Sequence, residues 1–338
     1  MTTIRDVAKR AGVSAMTVSR VLNNSAHISR RARERVEVAI AELGYVPNEL
    51  ARSLRFKQTN TLALILTDIT NPFFTTIARG VEDVASTAGF NVIFCNTDES
   101  EEEQKEYLTI LVKKQVDGVL LVPAQSSADA VSYLQECRVP VVLLDRRVED
   151  CRVDSVRCDS EGGAYRLTQL LLDQGHRQIA ILTGSEKVST AVDRVIGYRR
   201  ALEEAGVAVD ESYIMHGEFT QASGEVMARQ ALRLARPPTA VFAANNFIAL
   251  GAYRALRAAE IEIPGQISLV AFDDLPSALV LEPFLTVAAQ PAYQMGQRAT
   301  ELLLERLANT ASEQPQEIIL PTEIIVRQSS GPPSGCST

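Results

Sequence analysis

From residue 61 onward the chain repeats one pattern. Apolar runs of strand length alternate with amphipathic helical segments. The runs are TLALILTD (61–68), FNVIFCN (90–96), DGVLLVP (117–123), VPVVLLD (139–145), QIAILTG (178–184), TAVFAAN (239–245) and ISLVAFD (267–273). Between them lie helical segments such as 75–88, 101–115, 163–174, 193–205, 223–235 and 246–259. Strands that are apolar almost throughout must be buried on both faces, and a helix between consecutive strands is the usual crossover of a parallel pair. The pattern therefore predicts an α/β core of parallel sheets covered by helices on both sides.

The ends of these runs carry chemistry. Several finish in a polar residue: Asp68, Asn96, Asp145, Asn245 and Asp273. In open α/β sheets, ligands bind in the crevice beyond the carboxyl ends of the strands. Taken singly, each of these residues could be a turn former that caps the next helix. As a set they predict a polar small-molecule site. The last stretch, SSGPPSGCST, has the composition of a disordered tail, assigned here to 331–338.

Charge divides the chain unevenly. Residues 1–57 hold eleven Lys/Arg against five Asp/Glu, which is +6 and leaves −14 for the remainder of a chain whose total is −8. A small basic module on an acidic body usually has nucleic acid as its partner, the alternative being a basic helical face with none. The module opens with TIRDVAKRAGVSAMTVSRVLNN, residues 3–24. Thr3 can cap a helix whose third residue is Asp6, an approximate capping box. Ile4, Val7, Ala8 and Ala11 then share one face, and Gly12 ends the helix. Ser14 can cap a second helix with Val18, Val21 and Leu22 inward and Ala15, Met16, Ser19 and Arg20 outward. A third helix, from about Ser29 to Leu43, turns Val36, Ile40 and Leu43 inward and has Gly44 as its C-cap. Two short helices around a tight Gly-containing turn match the helix-turn-helix pattern, which sets the start of its second helix into the major groove.

Length and composition exclude several classes. At 338 residues, with 46% hydrophobic and 22% charged residues, the chain fits a soluble protein of two or three domains. Arg5, Asp6, Lys9 and Arg10 interrupt any secretory apolar region, and no apolar run reaches the roughly 18–20 residues a bilayer requires. The five cysteines, Cys95, Cys137, Cys151, Cys158 and Cys336, form no CxxC pair and fit a reducing cytoplasm better than a disulfide framework or a zinc site. No P-loop, GxGxxG, HExxH or GxSxG occurs, and the histidines are scattered, so neither an enzyme nor a cofactor is expected.

TIRDVAKRAGVSAMTVSRVLN, followed by GYVPNELARSLR, resembles the lactose-repressor family of bacterial transcription regulators, near its purine-repressor branch. The resemblance runs to about residue 327. It implies an all-α helix-turn-helix head at 1–46 and a hinge helix and linker at 47–60. It also implies a two-lobed core at 61–330, similar to periplasmic sugar-binding proteins, with two parallel doubly wound sheets. The chain would cross between lobes near 160, 290 and 321. That gives an N-lobe of 61–160 and 291–320 and a C-lobe of 161–289 and 322–330. Base contacts map to Ala15, Met16 and Arg20. Arg20 has the clearest chemistry, because a guanidinium can bond guanine O6 and N7 together. The short segment 49–55 would be marginal as an isolated helix. In the family it folds when two copies pair on the minor groove, with a leucine wedge matching Leu54 and with Arg55 beside it on the DNA.

For the core, the family's ligand-contacting positions map to Phe73, Phe74, Asp145, Val188, Thr190, Arg194, Phe219, Asn246 and Asp273. Arg194 with Asp273 could donate to and accept from sugar hydroxyls, and Phe219 could stack on an apolar sugar face. Val188 stands where purine-binding members carry a base-recognising arginine, which argues against a purine. Asn246 stands where many sugar-binding members have Asp. The C-terminus lacks the leucine heptads of the tetrameric lactose repressor, so a homodimer is expected. Together these features predict a cytoplasmic regulator, probed by double-stranded operator DNA on one side and a small polar effector, a sugar or sugar derivative, on the other. A solute-binding protein would lack the head, and an architectural DNA binder would have no use for the polar crevice.

Overall fold

The computed structural model describes residues 2–22, 28–45, 58–275 and 282–334. The chain divides into two units, Met1–Thr59 and Asn60–Thr338. Among the described residues, no helix is long and apolar enough to cross a membrane.

The first unit contains α1 (Ile4–Ala11), α2 (Ala15–Leu22) and α3 (Arg30–Leu43). Their ends are chemically specified. The Thr3 hydroxyl accepts from the Asp6 amide while the Asp6 carboxylate accepts from the Thr3 amide at 2.8 Å, so the capping box is complete. Gly12 then takes the left-handed conformation, φ +64°, that ends α1 and starts the turn. The Ser14 hydroxyl accepts from the Thr17 amide at 3.1 Å, and Ser29 and Gly44 cap the two ends of α3. Val7, Ala8, Ala11, Val18, Val21, Val36 and Ala39 fill the space between the three helices. Small side chains let helices this short approach closely. The core they form is correspondingly thin.

The second unit holds two six-stranded sheets. The first uses β1 (Thr61–Leu66), β2 (Asn91–Asn96), β3 (Gly118–Leu121), β4 (Val141–Leu144) and β5 (Asp154–Cys158), with β11 (Glu317–Leu320) returning late in the chain. The second uses β6 (Ile179–Thr183), β7 (Ile214–His216), β8 (Ala240–Ala243), β9 (Ser268–Phe272) and β10 (Thr286–Ala289), with β12 (Glu323–Ile325). The orders are β11-β5-β4-β3-β1-β2 and β12-β10-β9-β8-β6-β7. All pairs are parallel except β10 with β12, which is antiparallel. The expected α/β architecture of parallel, doubly wound sheets is therefore present, with that one antiparallel edge.

Continuous apolar strands follow from burial on both faces. Leu62, Leu64 and Leu66 of β1 pack under helices Pro72–Thr87 and Ala292–Leu307, while Ala63 and Ile65 pack on the other face with Leu108, Leu111 and Leu134. In the second sheet Ile179, Ile181 and Phe242 face one layer, and Val241, Ala243 and Leu269 face the other. Each fully buried Leu or Ile contributes about 1.5–3 kcal/mol relative to exposure. The chain passes from the first sheet to the second between β5 and helix Ser160–Asp173, back between β10 and helix Ala292–Leu307, and across again between β11 and β12.

The tail departs from the expectation of disorder at its start. The buried Ser329 hydroxyl donates to the Leu269 carbonyl. The Gly331 amide donates to Ser268 at 3.0 Å, and the Gly331 carbonyl lies 2.8 Å from the buried His176 ring. His176 also bonds Thr239 at 2.8 Å. A Gly/Ser/Pro-rich segment that cannot build a core of its own can still be tied down by buried polar groups that need partners.

Candidate functional site

Both sheets point the carboxyl ends of their strands at one cavity of about 660 Å³. That lies within the usual range of small-molecule pockets, roughly 300–1,000 Å³. Beyond β1, Asn71 caps helix Pro72–Thr87 by accepting the Phe73 amide at 3.0 Å, which turns Phe73 and Phe74 to the wall. Their rings meet edge to face, 5.1 Å between centroids. Beyond β4 stand Asp145 and Arg146. From the second sheet come Val188, Thr190 and Arg194 at the start of helix Ser189–Glu204, then Phe219, Asn245 and Asp273.

The two lobes place an aspartate in the same way. Asp145 follows β4 and Asp273 follows β9, and both have left-handed backbone, φ +63° and +68°. The Asp145 amide donates to the Val156 carbonyl at 2.9 Å, and the Asp273 amide to the Ala288 carbonyl at 3.0 Å. Asp tolerates this conformation better than a bulky residue would, and such backbone is sparsely populated outside functional sites. The twist turns each carboxylate off its strand and over the cavity.

Arg194 is the central cation. It is 3% exposed. Its Nη1 donates to the Ala244 carbonyl at 2.6 Å, and its guanidinium lies 3.8 Å above the Phe272 ring. Burial pushes the carboxyl of Asp145 up to about 6, against the pull of Arg146 and Arg194 and helped by Asp273 and Glu99. Burial also raises Asp273, opposed by Arg194 and by the hydrogen bond from Gln290. Several buried atoms of the cavity wall have no partner among the described residues: Thr67 Oγ1, Asp145 Oδ1, Arg146 Nε, Arg194 Nε and Gln290 Oε1. Buried polar atoms are seldom left unsatisfied. Five of them on one cavity, donors and acceptors together, suit a hydroxyl-bearing ligand.

Residues 59–328 match the family of periplasmic binding proteins and the sugar binding domain of the LacI family, and residues 3–48 match the bacterial regulatory proteins of the lacI family. The chain belongs to the LacI family. Among its relatives are the transcriptional repressor PurR of Vibrio atlanticus, 36% identical over 93% of this chain and 94% of that one, and the ribose operon repressor of Halalkalibacterium halodurans, 38% identical over 97% of each. The solved lac repressor dimer bound to operator and the anti-inducer ONPF is 28% identical, with a TM-score of 0.86 over 97% of this chain and 98% of that one. A complex of the transcriptional regulator CelR with cellobiose is 35% identical, with a TM-score of 0.75 over 98% and 100%.

In this LacI-family regulator, Phe73, Phe74, Asp145, Val188, Thr190, Arg194, Phe219 and Asp273 all line the cavity. Asn246 does not. It is fully buried behind the wall, and its amide exchanges two hydrogen bonds with Asn71 of the other lobe, at 2.9 and 3.1 Å. The neighbouring Asn245 is the wall residue; it caps helix Asn246–Ala258 by accepting the Ile248 amide at 2.8 Å. From the sequence, Asn245 stands out only as a strand end. Arg146 and Glu99 were missed altogether as wall residues, although Arg146 follows directly on Asp145 in the same strand-end motif. Gly184 was missed too: a Cβ there would lie 2.4 Å from the Phe219 ring, so only glycine lets that ring settle against the backbone.

In the head of the LacI-family chain, Met16 is 65% exposed and Arg20 is exposed beside it on α2. Ala15 is half-buried and packs on the three-helix core. Leu54 and Arg55 lie outside the described residues.

Proposed function

We propose that this chain is a cytoplasmic transcriptional repressor that binds a near-palindromic operator as a homodimer and is controlled by a small polar effector of the sugar class. One observation carries the effector reading: both lobes aim unsatisfied buried polar atoms into one cavity. Phe73, Phe74, Asp145, Thr190, Arg194, Phe219 and Asp273 are its contacts, and Val188 presents an apolar surface where a purine would need a donor. Asn246 acts on the ligand indirectly, through its pair with Asn71. The relatives support the same reading. A ribose operon repressor is 38% identical, and the regulator solved with cellobiose is 35% identical over nearly the whole chain.

For DNA, Arg20 reads a base edge, Met16 and Ala15 offer apolar contact, and Leu54 and Arg55 act at the operator centre. Rotation of one lobe on the other links the two sites. The test has two steps. A thermal-shift screen of sugars and nucleosides identifies the ligand, since binding to the folded state alone raises stability by mass action. Anisotropy titration of an operator selected from random DNA then measures its effect. A screen in which only nucleobases stabilise the protein would overturn the sugar reading. Failure to select any dyad-symmetric sequence would overturn the repressor reading.

A further inference from the structure

Beside the cavity runs a seam between the lobes. Two loops of the first lobe, after β3 and β4, meet the start of helix Ser189–Glu204 in the second. Backbone amides cross it in both directions. The Ser126 amide donates to the Lys187 carbonyl at 3.0 Å, and the Arg147 amide donates to Ser189 Oγ at 2.8 Å. The Ser189 amide donates back to Ser126 Oγ at 3.0 Å. Arg147 Nη1 adds an ion pair, donating to both Asp193 carboxylate oxygens at 3.0 and 2.9 Å.

The two members of that pair are placed unevenly. The Asp193 side chain is 11% exposed, and that of Arg147 is 35% exposed. Exposed ion pairs contribute little, but a buried carboxylate that loses its partner is costly to keep. Without Arg147, parting of the lobes would bring water to Asp193 in place of the guanidinium. Each lobe has apolar clusters of its own, so parting them breaks neither core. The tie on the other side of the cavity, Asn71 with Asn246, is neutral and buried, so a change of charge acts on this seam and not on that one.

Both members also adjoin wall residues in the chain. Arg147 follows Asp145 by two positions, and Asp193 directly precedes Arg194. Asp145 and Arg194 line the cavity from opposite lobes. We propose that Arg147 and Asp193 are a positioning pair: their ion pair locks the seam that holds Asp145 and Arg194 opposite each other, and its loss lets the lobes part without unfolding either. What this means for ligand binding rests on the effector reading; the seam itself does not.

The test is hydrogen exchange of the full-length protein at pH 7.5, with no ligand added, read at single amides by mass spectrometry. The Ser126 and Ser189 amides report the seam, because their acceptors belong to the opposite lobe. Both should exchange at least about tenfold more slowly than in an unstructured chain. Arg147→Ala should speed both at least about fivefold, while amides of β1 and β6 keep their wild-type rates. Arg147→Lys keeps the charge and should stay nearer to wild type than to Arg147→Ala. Adding Asp193→Asn to Arg147→Ala removes the unpaired charge and should slow both amides again at least about twofold. The proposal is overturned if the wild-type amides exchange as in an unstructured chain, or if Arg147→Ala leaves them unchanged. It is also overturned if the faster exchange extends equally into β1 and β6, if Arg147→Lys behaves as Arg147→Ala does, or if Asp193→Asn brings no recovery. Such a failure leaves the effector reading standing, and failure to find an effector leaves the seam standing.

Discussion

Asp145 combines two costs: a left-handed backbone and a buried carboxylate with one oxygen unbonded. Its carboxyl is raised from the ordinary 3.8 to about 6 by burial. The sign follows. The folded state holds this proton more tightly than the unfolded chain, so the carboxylate destabilises the unliganded protein above pH 6, less so between 6 and 3.8, and not at all below. A shift of about two units corresponds to roughly 3 kcal/mol. Asp145→Asn should therefore stabilise the ligand-free protein at pH 7.5 by up to that amount, with the gain falling to about half by pH 5. Urea denaturation at the two pH values checks this; a variant equally or less stable at pH 7.5 contradicts it. Ligand binding should run the other way. A hydroxyl donating to Asp145 favours the ionised form, so affinity should weaken about tenfold between pH 7.5 and 5, since only the ionised fraction is competent. The charged groups facing this carboxyl are Arg146, Arg194, Asp273 and Glu99. Position along the chain was enough to assign Asp145 and Asp273 to the site, because a strand end in a parallel sheet has one place to point. It could not separate Asn245 from Asn246. Which of two adjacent amides faces the cavity depends on which one becomes the helix cap, and that is settled by three-dimensional packing against Asn71.

At the level of elements, close helix packing decides where the wall residues stand. Helices Pro72–Thr87 and Ala292–Leu307 meet through reciprocal glycines: a Cβ on Gly80 would lie 2.2 Å from the Tyr293 carbonyl oxygen, and one on Gly296 would lie 2.2 Å from that of Ile77. Backbone cannot yield as a flexible side chain can. Gly296→Ala should cost about 1–3 kcal/mol, typical of overpacking, and should weaken ligand binding by shifting the helix that carries Phe73 and Phe74. A melting temperature equal to wild type would refute the contact. The long apolar strands and their helices were legible because both faces of each strand are buried. Short edge strands such as β7 and β12 were not, since three residues carry no period. In the head, caps and apolar spacing located the three described helices, and α2 exposes Met16 and Arg20 of the residues expected on DNA, while Ala15 is half-buried. Arg20→Ala should weaken specific operator binding by about 1–3 kcal/mol and relax one symmetric pair of base positions. Selection on random operators tests this, and an unchanged preference would remove Arg20 from the reading face.

For the whole molecule, three passes of the chain join the lobes, and side chains add cross-lobe ties on both sides of the cavity. Asn71 pairs with Asn246 on one side; on the other, Arg147 grips the Asp193 carboxylate at 2.9 and 3.0 Å, and Ser126 bonds Ser189. A ligand that reaches Asp145 from one lobe and Arg194 from the other changes the balance of the same closure. A ligand shifts such an equilibrium only by its differential affinity for the two states. The central claim, that a molecule between the lobes sets DNA affinity, is tested by operator binding with and without saturating ligand, in wild type and in Arg194→Met. That substitution keeps an unbranched apolar stem on Phe272 and removes the guanidinium. The account predicts that wild-type operator affinity changes at least fivefold with ligand, in the range typical of allosteric coupling. Arg194→Met should bind operator as wild type does, and its affinity should not respond to the same ligand concentration. An equal response in wild type and variant, or none in wild type once calorimetry shows the ligand bound, would contradict it.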